Sequence, residues 1–250
     1  MNRLHRILIA ATLALPVAAR AENTGYTEQF YLGYSDWNYK VAGEYQSGGS
    51  AYDLGNGFDA SRSSRGLYRL RWDTGPGWWR PDLAASFGRI EVSGQRNITS
   101  SGNIGPIPVQ GNSTAEVDAN VRDLDATARW PWQFGWARLS AGLTLKQLRG
   151  DVLVTDSAAQ RREPVNALFP LLHAFLEVPI GSRLRIGVGG DWIEGKGNEA
   201  DSIVAIARLK LIGPLDLTGG WQRKRYKVRT NDYLLDSRLQ GWQIGGELAF

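Results

Sequence analysis

The chain of 250 residues has no cysteine, one methionine and two histidines. Without thiols it can form neither disulfides nor thiolate metal sites. It also lacks any apolar run of the roughly 18 residues that a membrane-crossing helix needs. Net positive charge is scarce too, once the N-terminus is set aside. Arg3 and Arg6 precede a short apolar run from Ile7 to Leu15, and Ala19-Arg20-Ala21 fits a small-x-small cleavage site. Residues 1–21 therefore read as a secretory signal, leaving 22–250 as one domain. Taking Arg3, Arg6 and Arg20 from the 29 basic residues leaves 26 against 25 acidic ones. No net basic field remains to attract phosphates, so a nucleic-acid partner is not expected.

Ten tryptophans and thirty glycines are present in a chain of negative mean hydropathy, −0.31. That mixture suits strands with one lipid-facing and one polar face. Alternation of period two supports it. Ala137, Leu139, Ala141, Leu143 and Leu145 share one face, with Arg138, Ser140, Gly142, Thr144 and Lys146 on the other. Leu184, Ile186, Val188 and Trp192 oppose Arg183, Arg185, Gly187, Gly189 and Asp191. Ten such segments are predicted, at about 28–39, 64–74, 82–92, 119–130, 136–152, 168–178, 183–193, 202–212, 215–228 and 237–250.

The connections alternate in length. Long polar loops are expected at 40–63, 93–118 and 153–167, with shorter ones at 194–201 and 229–236. Compact turns fall at Gly75-Pro76-Gly77, Pro131 to Gly135, Pro179 to Ser182 and Gly213-Pro214. Trp72, Trp78, Trp79, Trp130, Trp132 and Trp136 cluster at the short-turn end, where an aromatic girdle belongs. The expected fold is an all-β, antiparallel, up-and-down transmembrane barrel of about ten strands in a bacterial outer membrane.

The last segment, Gln243-Ile244-Gly245-Gly246-Glu247-Leu248-Ala249-Phe250, resembles the β-signal read by the barrel-assembly machinery, with Gln243, Gly245, Leu248 and Phe250 at its marked positions. From about Val117 onward the chain also resembles a family of ten-stranded proteobacterial outer-membrane barrels of this length. The passages are Arg122-Asp123-Leu124-Asp125, Leu143 to Val154 with Arg149-Gly150-Asp151, Pro170-Leu171-Leu172-His173-Ala174, Glu177-Val178-Pro179 and Gly187-Val188-Gly189-Gly190-Asp191. The N-terminal third shares only the layout. The resemblance implies a fold and a membrane, and brings no catalytic motif.

Parity places Arg69, Arg71, Arg129, Arg138, Lys146, Arg183, Arg185, Arg208, Lys210 and Lys224 in the lumen, with Asp73, Asp123, Asp125, Glu177, Asp191, Asp216 and Glu247. Ten cations against seven carboxylates form an ionic network, because an unpaired buried charge is costly. They line either a closed lumen or a narrow pore of slight anion preference. The basic run Arg223, Arg225, Lys227 and Arg229 points outward, at the height of lipopolysaccharide phosphates. His173, the one histidine beyond the signal, faces the lumen near Glu177, a poor dyad for a barrel hydrolase. No cofactor or metal is expected. The partners expected are outer-membrane lipid and lipopolysaccharide, periplasmic chaperones and the assembly machinery, for a monomer. Surface-loop binding or adhesion is the alternative role, and hydrolysis of lipid the remote one.

Overall fold

The structure is a computed structural model that describes residues 28–47, 50–53, 63–74, 80–98, 101–104, 107–134, 136–155, 160–195, 198–229 and 233–250. The expected signal at 1–21, the Gly75-Pro76-Gly77 turn, Trp78 and Trp79 lie outside the described residues.

Among the described residues thirteen strands follow in order: β1 (Gln29–Ser47), β2 (Ser50–Asp53), β3 (Ser63–Asp73), β4 (Asp82–Ile98), β5 (Gly102–Ile104), β6 (Ile107–Val109), β7 (Ser113–Phe134), β8 (Ala137–Thr155), β9 (Gln160–Ile180), β10 (Leu184–Gly195), β11 (Asn198–Lys210), β12 (Leu215–Arg229) and β13 (Tyr233–Ala249). Ten of them make one antiparallel ring, β1-β3-β4-β7-β8-β9-β10-β11-β12-β13, which closes when β13 pairs with β1. That seam runs from Tyr31 opposite Ala249 to Ser47 opposite Tyr233. Phe30 and Phe250 finish it by exchanging backbone hydrogen bonds of 3.1 and 2.8 Å. Closure satisfies the sheet edges that lipid could not hydrate.

All ten expected segments are strands, and most run further than alternation alone suggested. β1, β4, β7, β8 and β9 take up much of the expected loops at 40–63, 93–118 and 153–167. The Pro131 to Gly135 turn is also corrected, since β7 continues to Phe134. Tight turns remain at Gly181 and Gly213, whose φ values of 67° and 57° favour glycine.

The reason for the longer strands is a reversal of pattern. Near the short-turn end the outward side chains are apolar, including Leu139, Leu143, Leu172, Val188 and Leu217, while the inward ones are charged. Farther along the same strands the outward residues become Asn38, Lys40, Ser93, Asn120, Arg149, Arg238 and Gln240. There the inward residues become apolar. Trp37, Tyr39, Ile90, Leu148, Leu171, Ala200, Tyr226 and Leu239 form one buried cluster, with Val41, Val92, Val121, Val165, Ala167, Phe169 and Ile193 packed against it. The lower barrel is built for lipid outside, and the upper barrel for water outside. Exposed Trp72, Trp132, Phe134 and Trp136 ring the short-turn end. Their outward position excludes a soluble core made of these tryptophans.

The ring has one short ladder. β3 and β4 pair only from Leu67–Gly88 to Trp72–Leu83. Past it, the Tyr39 hydroxyl accepts from the Glu91 backbone N–H at 2.9 Å and donates to its carbonyl at 3.0 Å. A side chain thus satisfies an edge that the neighbouring strand leaves open.

Candidate functional site

The lumen is layered from its periplasmic end. A cavity of about 470 Å³ opens there, lined by Gln29, Tyr31, Arg183, Arg185, Lys210 and Asp216 among others. Arg183 and Lys210 were expected inside the ionic network; both are exposed, Arg183 in the turn before β10 and Lys210 at the end of β11. The Arg183 carbonyl accepts the Lys210 N–H at 2.8 Å, which carries the β10–β11 ladder one pair further and leaves both side chains on the cavity lining, short of the buried layers.

The first buried layer is an arginine–carboxylate net. Arg185 reaches Asp216 at 2.6 Å and Glu177 at 4.0 Å; Arg208 reaches Glu177 at 2.6 Å and Glu247 at 3.7 Å. Arg71 lies 3.5 Å from Glu247 and 3.4 Å from Asp73, with its guanidinium 3.7 Å over the Tyr31 ring. Asp73 also receives Arg129 at 3.8 Å and Arg138 at 3.3 Å. Arg69 hydrogen-bonds Ser35 at 2.8 Å and also Gln243. Phe175 sits between Arg129 and Arg208, with their guanidinium carbons 5.7 and 5.9 Å from its ring. This arrangement needs Gly187 and Gly189: a Cβ at either would lie 2.4 to 2.5 Å from the Phe175 ring. The glycine-rich motif is therefore a seat for an aromatic ring.

Asp82 was missed by the sequence reading. It is fully buried, accepts from Arg138 at 2.5 Å and from the Thr74 N–H at 3.1 Å. The signal was its parity with Ser86 and Gly88 within the expected segment 82–92, which was not read for charges.

The next layer joins Asp123 and Asp125 to Lys146 and Lys224. Lys146 donates to Asp123 at 2.8 Å and also pairs with Asp125. Lys224 pairs with Asp123 and lies 3.7 Å from Asp125. Asp123 and both lysines are at most 3% exposed. The two carboxylates therefore face ammonium groups, and among the described residues no cluster of metal-ligating side chains occurs.

Beside this layer, His173 Nδ1 lies 2.8 Å from Asp191, across the β9–β10 ladder. Asp191 also accepts from Thr144 at 2.5 Å and Ser202 at 2.7 Å. The histidine's partner is thus Asp191 and not Glu177, a cross-strand contact that linear spacing does not reveal. The His173 Nε2 is buried with no hydrogen-bond partner.

Counted over the described residues, the buried or half-buried lumenal cations are Arg69, Arg71, Arg129, Arg138, Lys146, Arg185, Arg208 and Lys224. The carboxylates are Asp73, Asp82, Asp123, Asp125, Glu177, Asp191, Asp216 and Glu247. Eight meet eight in these layers, while Arg183 and Lys210 add two cations on the lining of the cavity below them. Above the layers lies the apolar cluster, in which Tyr39 and Leu171 are 0% and 1% exposed. Higher still, Val109 of the β5–β6 hairpin is buried against Ala115 and Val154, while β5 reaches β1.

On the outer wall, Arg223, Arg225 and Lys227 face outward as parity requires, and each meets an acid. Arg223 pairs with Asp201 at 2.9 Å, Arg225 with Asp236 through Nε at 3.0 Å, and Lys227 with Glu199 at 3.1 Å. The side chain of Arg229 lies outside the described residues. The β-signal residues Gln243, Gly245, Leu248 and Phe250 all sit on the closing strand or its end, with Gln243 buried inward.

No protein-family model matches the chain, and no curated protein matches it. Among solved structures, the outer-membrane protease OmpT from Escherichia coli aligns with a TM-score of 0.61 at 9% identity, over 92% of this chain and 100% of that one. Neisserial surface protein A aligns at 8% identity and TM-score 0.38, over 88% and 97%. Ail of Yersinia pestis aligns at 10% identity and TM-score 0.38, over 89% and 99%. At these identities the likeness is one of fold. The closed ring of ten antiparallel strands, apolar outside and charged within, is that of a Gram-negative outer-membrane β-barrel. A likeness of fold does not carry the protease's activity to this chain, so activity must be argued from this chain's own side chains.

Proposed function

We propose that this outer-membrane barrel is a non-enzymatic, non-conducting protein whose working surface lies outside the membrane. The observation that carries the reading is the Lys146–Asp123–Lys224 layer, fully paired and roofed by the Tyr39 and Leu171 cluster. A solute would have to break buried ion pairs and then part an apolar layer. Both steps are expensive, because a separated buried charge loses its compensation. The periplasmic cavity ends against the Arg185–Asp216 pair. Within the buried layers the cations and carboxylates are equal in number and already partnered, so they leave no free charge to draw a permeant ion past the cavity.

The His173–Asp191 pair serves the same end. Thr144 and Ser202 spend their hydroxyls on Asp191, so neither is poised against the imidazole as a nucleophile. What remains for function is the outer extension of β1, β4, β7, β8 and β9, with the β5–β6 hairpin across its mouth. This polar cylinder presents the surface for a partner or ligand. Proteoliposome swelling with small sugars and amino acids tests the reading. Swelling no faster than that of empty liposomes is expected, and solute-dependent swelling would refute it.

A further inference from the structure

Three arginines stand in a row across the outer wall. Arg89 on β4 is opposite Arg122 on β7, and Arg122 is opposite Arg149 on β8. All three are exposed and point away from the lumen. Like charges directly opposite on neighbouring strands repel one another. Arg89 has an acidic neighbour, Glu91 at 3.7 Å, which Arg65 also engages. Among the described residues, Arg122 and Arg149 make no ion pair. The fold places the charges together and leaves two of the three uncompensated.

Their height is set by the reversal of pattern. On β4 the outward residue changes from Phe87 to Arg89 as the inward one changes from Gly88 to Ile90. On β7 it changes from Leu124 to Arg122, with Asp123 giving way to Val121 inside. On β8, Leu145 and Gln147 lead to Arg149 as Lys146 gives way to Leu148. The row therefore marks the outer edge of the lipid-facing band, where the outer leaflet's headgroups lie.

We propose that Arg89, Arg122 and Arg149 form a docking site for a phosphorylated lipid headgroup of the outer leaflet. Guanidinium groups donate paired, charge-assisted hydrogen bonds to phosphate oxygens, which also relieves their mutual repulsion. The basic run on β12 differs, because Arg223, Arg225 and Lys227 each have a carboxylate in contact. The site does not depend on whether the lumen conducts.

The test is native mass spectrometry of the folded full chain in neutral detergent, titrated with diphosphoryl lipid A or its dephosphorylated form. Wild type should retain the phosphorylated lipid and release the other. The Arg122→Gln/Arg149→Gln pair should weaken retention about tenfold or more, while Arg122→Lys/Arg149→Lys keeps part of it. Heat-modifiable gel migration reports whether each variant is folded. If the glutamine pair does not fold, the salt dependence of wild type decides: raising ionic strength from about 0.1 to 1 M shortens the Debye length from about 10 to 3 Å and should release the lipid. Equal retention by the glutamine pair, equal retention of the dephosphorylated lipid, or salt-insensitive retention would overturn the proposal. So would loss confined to Arg223→Gln/Arg225→Gln, or complete displacement of the lipid by millimolar inorganic phosphate alone.

Discussion

Lys224 on β12 and Asp123 on β7 meet across the full width of the barrel, on walls five strands apart in a ring of ten. Asp123 simultaneously holds Lys146 of β8 at 2.8 Å. Opposite sides of the cylinder are thereby tied through one carboxylate, at the level where the lumen's charged layers end.

Removing that carboxylate should cost more than removing either ammonium. Asp123→Ala leaves two buried lysines sharing Asp125, and a loss of about 3–5 kcal/mol is expected for a broken buried pair. Lys224→Ala leaves Asp123 with Lys146 and should cost less. Urea titration of the folded barrel in lipid vesicles measures both; an Asp123→Ala barrel as stable as wild type would contradict the layer's importance.

The two adjacent glycines of the closing strand should behave differently. A Cβ on Gly245 would sit 2.0 Å from the Tyr34 carbonyl oxygen and 2.5 Å from the Ser35 Cα, across the seam with β1. A Cβ on Gly246 meets nothing nearer than 3.7 Å. Gly245→Ala should therefore impair folding yield and closure, and Gly246→Ala should be tolerated. Heat-modifiable migration of the two variants reads the contrast directly.

Phe175 gives a third handle. Gly187→Ala or Gly189→Ala pushes its ring out of the space between Arg129 and Arg208, and overpacking of this kind typically costs about 1–3 kcal/mol. Adding Phe175→Leu to Gly189→Ala should recover part of the loss in the same urea titration, since the flexible aliphatic side chain vacates the seat. No recovery would mean that the Ala174 backbone, 2.4 Å from the same Cβ, sets the constraint instead.

Outside the membrane, the Arg225 guanidinium holds the Asp236 carboxyl below its ordinary 3.8, chiefly by hydrogen bonding. A carboxyl depressed in the folded state contributes stability above its unfolded pKa. That contribution is lost as pH falls through the folded value. The barrel should therefore unfold faster below about pH 4, and Arg225→Gln should reduce the acid dependence. Stopped-flow unfolding against pH in both proteins checks the sign; a steeper acid dependence in Arg225→Gln would reverse it.

The membrane half of this fold was legible because its strands alternate in a single phase: Leu139 to Lys146 names both its faces without help. The upper half was not, because the phase reverses along the strand. Leu148 after Lys146, or Tyr39 beside Lys40, breaks a one-phase pattern and reads as the start of a loop, although the backbone continues unchanged. The same reversal hid the apolar roof, since Trp37, Leu171 and Leu239 look like lipid-facing residues until a register fixes their side. Pairings between strands distant in sequence, such as Lys224 with Asp123, depend on ring order. Parity listed those charges but could not match them. Arg183 and Lys210 keep the expected side and line the cavity at the barrel's end, but parity says nothing of depth, and both lie exposed beyond the ion-paired layers.

Single-channel recording of the folded chain in a planar bilayer tests the central claim most directly, because it reports whether any continuous water path exists. Electrical silence is predicted for wild type across the accessible voltage range, with insertion verified by protease protection. Discrete, reproducible conductance steps from correctly folded protein would contradict the plugged lumen and make the paired Lys146–Asp123–Lys224 layer a gate to be opened rather than a seal.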